Sequence, residues 1–155
     1  MATIDNASIL RAFYDAFNAR DAAAVASYVA PGAEATSMAL GTRTGFMEHL
    51  QTRGDAFPDG RIELRSMVEQ GDTVFTEIVA HGTHTGTLRE PGHELPATGR
   101  RIELPMAEVF RCRDGKIEDF RAYFDAFTLF KQLGIGAPAA GAQAQGESGF
   151  REPVH

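Results

Sequence analysis

The stretch "RRIELPMAEVFRCRDGKIEDFRAYF", residues 100–124, decides the fold. It contains two strand-like runs, 100–113 and 116–124, on either side of Asp114-Gly115. An Asp-Gly pair between two such runs is a strong signal for a β-hairpin. The stretch therefore predicts two neighbouring antiparallel strands.

Two registers fit this hairpin. A two-residue loop, Asp114-Gly115, pairs Arg113 with Lys116, whereas a three-residue loop pairs Cys112 with Lys116. We favour the second, because it gives Gly115 the left-handed position of a bulge, where glycine has no steric cost.

The favoured register defines one apolar face, since paired residues point to the same side of a sheet. That face carries Met106, Glu108, Phe110, Phe120, Ala122 and Phe124. Glu108 is its only acid, and loss of hydration among Met and Phe should raise the pKa of its carboxyl toward the range of a general acid or base. The alternative is that Glu108 bonds to a helix, or that a shifted register turns it outward.

The rest of the chain predicts helices before a sheet. Helical spacing predicts a helix over 6–19, a second one capped by Asp21 and ended by Pro31-Gly32, and a third from near Thr44. Strands are expected over 33–40, 61–70 and 73–88, a loop over 89–99, and a last helix over 126–133 that Asp125 caps. This order predicts an α+β domain in which three N-terminal helices and a short C-terminal helix pack on a curved antiparallel sheet. A cavity for a small molecule is expected between the concave face and the helices.

Composition limits the function classes. Net charge is −6 with no Lys/Arg cluster, which argues against a nucleic-acid partner. One cysteine excludes an internal disulfide and a cysteine-based zinc site, and the sequence has neither a membrane span nor a signal peptide. We therefore expect a cytoplasmic protein with one domain over 1–135 and a flexible tail over 136–155.

Three segments suggest a family: "ILRAFYDAFNARD" (9–21), "GTHTGTL" (82–88) and "PATGRRIELPMAEVFRCRDGKIEDFRAYFDAFTLFKQLG" (96–134). They resemble SnoaL-like polyketide cyclases, a branch of the cone-shaped barrel fold shared with nuclear transport factor 2, ketosteroid isomerase and limonene epoxide hydrolase. The resemblance covers roughly residues 5–134. It implies a small homodimer with an apolar pocket and no cofactor, and activities that include aldol-type ring closure, isomerisation and epoxide hydrolysis.

The chain departs from the family at three pocket positions. The relatives' key acid lies three residues before the aspartate that opens the last helix, and here that residue is Ala122. Limonene epoxide hydrolases carry Arg and Asp where this chain has Ile78 and Ala80. The epoxide hydrolase triad is therefore absent, and Glu108 becomes the candidate acid.

Histidines and tyrosines add further candidates. His84 shares the inward face of its strand with Ile78 and Ala80 and could relay a proton, although bonding to local backbone is the alternative. His81 faces the other side, so the two histidines do not form a metal site. His49 on the third helix, Tyr14 and Tyr28 could reach the pocket, while burial in the core is the alternative for both tyrosines.

The predicted function is acid/base cyclisation or isomerisation of an apolar, oxygenated substrate of polyketide or terpenoid type, without metal or cofactor. Glu108 and His84 would be catalytic. The predicted ligand contacts are Tyr14, Tyr28, His49, Ile78, Ala80, Met106, Phe120, Ala122 and Phe124. The alternatives are a non-catalytic binder of apolar ligands or a dimeric interaction protein, and an epoxide hydrolase-like enzyme with a rearranged site.

Overall fold

The computed structural model describes residues 5–135. The predicted tail, 136–155, lies outside the described residues. The elements in chain order are α1 Asn6–Asn18, α2 Ala22–Ser27, β1 Val29–Ser37, β2 Thr42–Gly45, α3 Phe46–Ala56, β3 Arg61–Gln70, β4 Thr73–Thr83, β5 Leu88–Glu90, β6 His93–Leu95, β7 Arg101–Arg113, β8 Lys116–Phe124 and α4 Ala126–Leu133. The α+β class, with three helices ahead of the main sheet hairpins and a short last helix, is confirmed.

Six strands form one curved sheet in the order β2-β1-β8-β7-β4-β3. The prediction of an antiparallel sheet is wrong for one pair, because β1 runs parallel to β8. Pro31-Gly32, expected to end α2, instead lies inside β1, in the stretch between Val29 and Glu34 where the register shifts. Proline cannot donate a hydrogen bond to a sheet, which explains why pairing is interrupted there.

The central hairpin differs from the favoured register in its turn. Arg113 pairs with Lys116, so the loop has two residues, and Asp114 and Gly115 both have positive φ, 52° and 77°. This is the pattern of a type I′ turn. The predicted shared face is nevertheless correct, because a bulge shifts the register by one residue between Arg111 and Cys112 and brings Glu108 opposite Ala122.

The chain leaves the main sheet earlier than expected. Strand β4 ends at Thr83, and β5 and β6 form a separate small hairpin that begins at the last residue of the predicted strand and extends into the predicted loop. Gly86 explains the departure, since its backbone lies so close to α3 that a Cβ atom there would be 1.9 Å from the carbonyl oxygen of Asp55. Gly86 also donates its N–H to the carbonyl of Ala56.

The core lies between the helices and the concave face. Helix α1 buries Ile9, Leu10, Phe13 and Tyr14 there. Helix α4 packs Leu129 and Leu133 at the other end, against Ile102 and Leu104. Asp125 caps α4 as predicted, accepting the N–H of Phe127 at 3.0 Å. Within residues 5–135, every helix is too short or too polar to cross a membrane.

Candidate active site

A cavity of about 120 Å³ lies between the concave face, α1 and α3. Its walls are mainly aromatic and aliphatic, and include Phe13, Phe17, Phe46, Leu50, Phe57, Leu88, Ile102, Leu104 and Leu129. The polar and charged residues of the lining are Tyr14 and Glu108, His49 and Arg53 on α3, and Arg61 and His81 on β3 and β4. His81 was expected to face away from the cavity.

Glu108 belongs to a buried network of three hydroxyl and carboxyl groups. Tyr14 donates its hydroxyl hydrogen to Glu108 Oε1 at 2.8 Å, and Tyr14 Oη is 2.8 Å from Thr76 Oγ1. Because tyrosine has one hydroxyl hydrogen, this donation leaves Thr76 to donate to the tyrosine oxygen. Thr76 pairs with Glu108 across β4 and β7, which fixes the two side chains on the same face.

Burial controls the acidity of this network. It raises the pKa of Glu108 to about 7, while the Tyr14 hydrogen bond and the charge of Arg53 oppose the rise. A carboxyl group with a pKa near neutrality can both accept and return a proton during turnover. Burial, then the nearby Glu108 carboxylate, raises the pKa of Tyr14 far above its ordinary value, so Tyr14 stays protonated and remains a donor.

Helix α3 supplies a neutral ring and a positive charge, one turn apart. The His49 ring centroid is 5.2 Å from that of Phe120. Burial and then Arg53 lower the pKa of His49 to about 3, so the imidazole is neutral at physiological pH. Arg53 Nη1 lies 2.5 Å from Oε1 of Glu90 on β5.

Most of the predicted site residues line this cavity. They are Tyr14, His49, Ala80, Met106, Glu108, Phe120, Ala122 and Phe124. Ala122 lies directly opposite Glu108, so the relatives' acid position and Glu108 are neighbours on adjacent strands.

Three predicted residues lie outside the cavity. Ile78 is buried in the core, and Tyr28 packs against the core at the end of α2. His84 is fully buried, with Nδ1 3.0 Å from Thr98 Oγ1 and its ring against Phe57. This arrangement matches the local hydrogen bonding that was the alternative for His84, and we leave all three out of the proposed site.

Two residues of the site, Thr76 and Arg53, were not predicted from the sequence. Thr76 lies two residues from Ile78 on an alternating strand, so the same reasoning that turned Ile78 inward could have found it. Arg53 is four residues from His49 on one helix, and that spacing places both on one face. The partner of Arg53, Glu90, lies on a hairpin that was expected to be a loop and had no comparable signal.

Comparisons with known proteins agree with the fold. Residues 7–133 match the family of SnoaL-like polyketide cyclases. The chain is 33% identical over 76 residues to aklanonic acid methyl ester cyclase DnrD of Streptomyces peucetius, a match that covers 49% of this chain and 50% of that protein. The chain thus spans about half the length of the curated relatives it matches.

Solved structures show the same fold over most of the chain. IdmH from Streptomyces antibioticus, a candidate polyketide cyclase, has a TM-score of 0.66 at 29% identity, over 83% of this chain and 97% of its own. A SnoaL-like protein from a Jannaschia species has a TM-score of 0.70, over 86% of this chain and 97% of its own, but only 15% identity, so it supports the fold alone. Because the family match extends over residues 7–133, the chain belongs to the SnoaL-like polyketide cyclase family.

Proposed function

We propose that this protein is a cofactor-free enzyme that closes a ring in an apolar, oxygenated, polyketide-like substrate by acid/base catalysis. The observation that carries the proposal is Glu108, a buried carboxyl group facing an apolar cavity and hydrogen-bonded to Tyr14. DnrD, to which the chain is 33% identical over 76 residues, is named aklanonic acid methyl ester cyclase.

The position of Glu108 supports its role as the catalytic base. It lies directly across from Ala122, where the relatives carry their acid. Directly paired residues have Cβ atoms about 4.5–5.5 Å apart. A carboxyl group on either strand therefore faces the same part of the cavity, and Glu108 takes the place of the missing acid.

The proposed reaction is an intramolecular aldol addition. The Glu108 carboxylate takes a proton from a carbon next to a carbonyl, and the C–H electron pair passes into an enolate. The enolate carbon attacks a second carbonyl carbon, and a C–C bond forms as that carbonyl becomes an alkoxide. The alkoxide then takes the proton from Glu108, which restores the carboxylate.

The apolar walls assist the proton transfer, because exclusion of water strengthens the electrostatic interactions of the carboxylate. Ligand pockets commonly measure about 300–1,000 Å³. The cavity of about 120 Å³ is smaller. We infer that it encloses the reacting part of a larger molecule, with the remainder at the mouth.

A second candidate function is non-catalytic binding of an apolar ligand. The observation that favours it is Ala122, which removes the acid of the relatives from its usual place. The apolar walls would bind such a ligand equally well, and Glu108 would then only orient it.

We also propose that two copies associate through the outer face of the sheet. Phe75 on β4 and Val68 on β3 pair across that face and are exposed, and Tyr123 on β8 is exposed on the same side. Contiguous exposed apolar side chains usually mark an interaction surface.

The test of the proposed function is Glu108→Gln, assayed for cyclisation of aklanonic acid methyl ester. Loss of a general base should lower turnover by about 10²–10⁴-fold. The matched control is Glu103→Gln, which changes an exposed glutamate on the same strand and should turn over like the unchanged protein. Turnover that survives Glu108→Gln contradicts the proposed base.

A further inference from the structure

A charged pair, one member of which lines the cavity, is not used by the proposed reaction. Arg53 lines the cavity, and its Nη1 lies 2.5 Å from Glu90 Oε1. The side chains are only 23% and 9% exposed. Both charges have lost much of their hydration, so each depends on its partner.

Apart from its contact with Arg53, the carboxylate of Glu90 has only a weak hydrogen bond among the described residues. The hydroxyl of Thr42 donates to Glu90 Oε2 at 3.4 Å, the long end of the range. Oε1 has no aligned hydrogen bond to any described residue, so its contact with Arg53 is an ion pair without good hydrogen-bond geometry. An incoming anion with better geometry could therefore compete for the guanidinium.

The hairpin that carries Glu90 is separate from the main sheet, since among residues 5–135 β5 pairs with β6 alone. Two-stranded hairpins are marginally stable by themselves. Leu88 anchors one end of β5 in the cavity wall. Displacing the side chain of Glu90 therefore need not disturb the six-stranded sheet.

The two members of the pair face different spaces. Arg53 lines the inner cavity, whereas Glu90 lines a second depression of about 410 Å³ between α3 and the hairpin. His49 borders both. A ligand that extends from Glu108 toward this depression would pass the guanidinium of Arg53.

We propose that Arg53 binds an acidic oxygen of the substrate, a carboxylate or an ionised enol or phenol, and that Glu90 is the internal counter-ion which this oxygen replaces. The exchange keeps the guanidinium paired throughout, and the planar guanidinium offers two parallel hydrogen bonds to such an anion. This inference rests on the proposed function in one respect, that the bound molecule is the substrate of Glu108.

The test compares acids with their methylated forms by calorimetry at pH 8. One pair is 2-naphthoate and methyl 2-naphthoate, and the other is 2-hydroxy-1,4-naphthoquinone and its 2-methoxy ether. The unchanged protein should bind the acid of at least one pair about tenfold or more tightly than its neutral partner, because hydrogen bonds to charged groups contribute about 1.5–3 kcal/mol. The pair that shows the preference tells whether a carboxylate or an ionised enol is recognised.

Variants of Arg53 and Glu90 test whether this ion pair causes the preference for the acid. Arg53→Gln should abolish the preference for the acid, and Glu90→Gln should strengthen acid binding severalfold because the competing charge is removed. Arg89→Gln is the control, since Arg89 is an exposed arginine next to Glu90 and pairs with Glu94. It should behave like the unchanged protein.

The proposal is overturned if the unchanged protein shows no preference, or if Arg53→Gln retains it. If circular dichroism shows that Arg53→Gln does not fold, Glu90→Gln decides alone, and unchanged or weaker acid binding overturns the proposal. Glu108→Gln should keep the acid preference or strengthen it, because glutamine removes a negative charge from the same cavity at pH 8. Failure of the catalytic role of Glu108 would therefore appear in turnover and not as a loss of this preference.

Discussion

At the scale of single residues, the main feature is an ionisable group held in apolar surroundings. Glu108 has one hydroxyl donor, Tyr14, and otherwise faces aromatic and aliphatic walls. In its charged form such a group destabilises the folded state, and groups of this kind are common in active sites. Two predictions follow from the balance between burial and the single hydrogen bond.

Tyr14→Phe should raise the pKa of Glu108 above its value of about 7, because the hydrogen bond from Tyr14 lowers it. The carboxylate would then form only at higher pH. The rising limb of the pH profile of kcat/KM should move upward by about one pH unit, as expected for loss of a charge-assisted hydrogen bond. Tyr28→Phe is the control, because Tyr28 lies outside the cavity. A limb that stays in place or moves to lower pH would refute the assignment.

Glu108→Gln should stabilise the protein at pH 8. The pKa of Glu108 is about 7 in the folded state and near 4.5 ordinarily. Between these values the folded state holds a proton that the unfolded state has lost, so the free energy of unfolding falls as pH rises through this window. Above it the charged carboxylate destabilises the fold by about 3 kcal/mol, a cost that glutamine avoids.

Urea unfolding at pH 8 and pH 4.5 measures this effect. The stability advantage of Glu108→Gln should be present at pH 8 and small at pH 4.5. Glu103→Gln, whose side chain is 69% exposed, should show no such advantage. An advantage that does not depend on pH, or a loss of stability at pH 8, would mean that Glu108 does not titrate as we describe.

At the scale of secondary-structure elements, much of the site could be predicted from alternation along strands. The shared face of β7 and β8 was predicted correctly, although the predicted length of the loop between them was wrong. The predicted hairpin has a three-residue loop, and the observed one has a two-residue loop followed by a bulge. Both arrangements leave Glu108 and Ala122 on the same face of the sheet. Alternation therefore located the carboxyl group without locating the bulge.

Contacts between distant segments could not be predicted in this way. The parallel pairing of β1 with β8 depends on where the chain goes after α2, and Pro31-Gly32 resembled the end of a helix. The departure of β4 from the sheet at Thr83 depends on the close approach of Gly86 to α3, which has no local pattern. His84 was placed in the pocket because its strand was expected to continue to residue 88.

At the scale of the whole molecule, the sheet separates two surfaces with different roles. The concave side holds the helices and the cavity, and the outer side carries the exposed side chains of Val68, Phe75 and Tyr123. The proposed dimer would cover the outer side and leave the concave side free.

Phe75→Asp should convert the proposed dimer into a monomer, because a carboxylate in the middle of an apolar interface would lose its hydration. Sedimentation equilibrium measures the mass directly. Phe127→Asp is the matched control, since Phe127 is exposed on α4, away from the outer face of the sheet. A protein whose mass does not change with Phe75→Asp would exclude this face as the interface.

If Glu108 removes a proton from carbon, the protein should catalyse deuterium exchange next to a carbonyl. An aryl ketone such as 1-tetralone is incubated with the protein in deuterated buffer, and exchange at the carbon next to the carbonyl is followed by NMR. We expect the unchanged protein and Glu103→Gln to accelerate exchange above the rate in buffer, and Glu108→Gln to return it to that rate. Exchange by Glu108→Gln as fast as by the unchanged protein would contradict this role of Glu108, as would an unchanged protein that exchanges no faster than buffer.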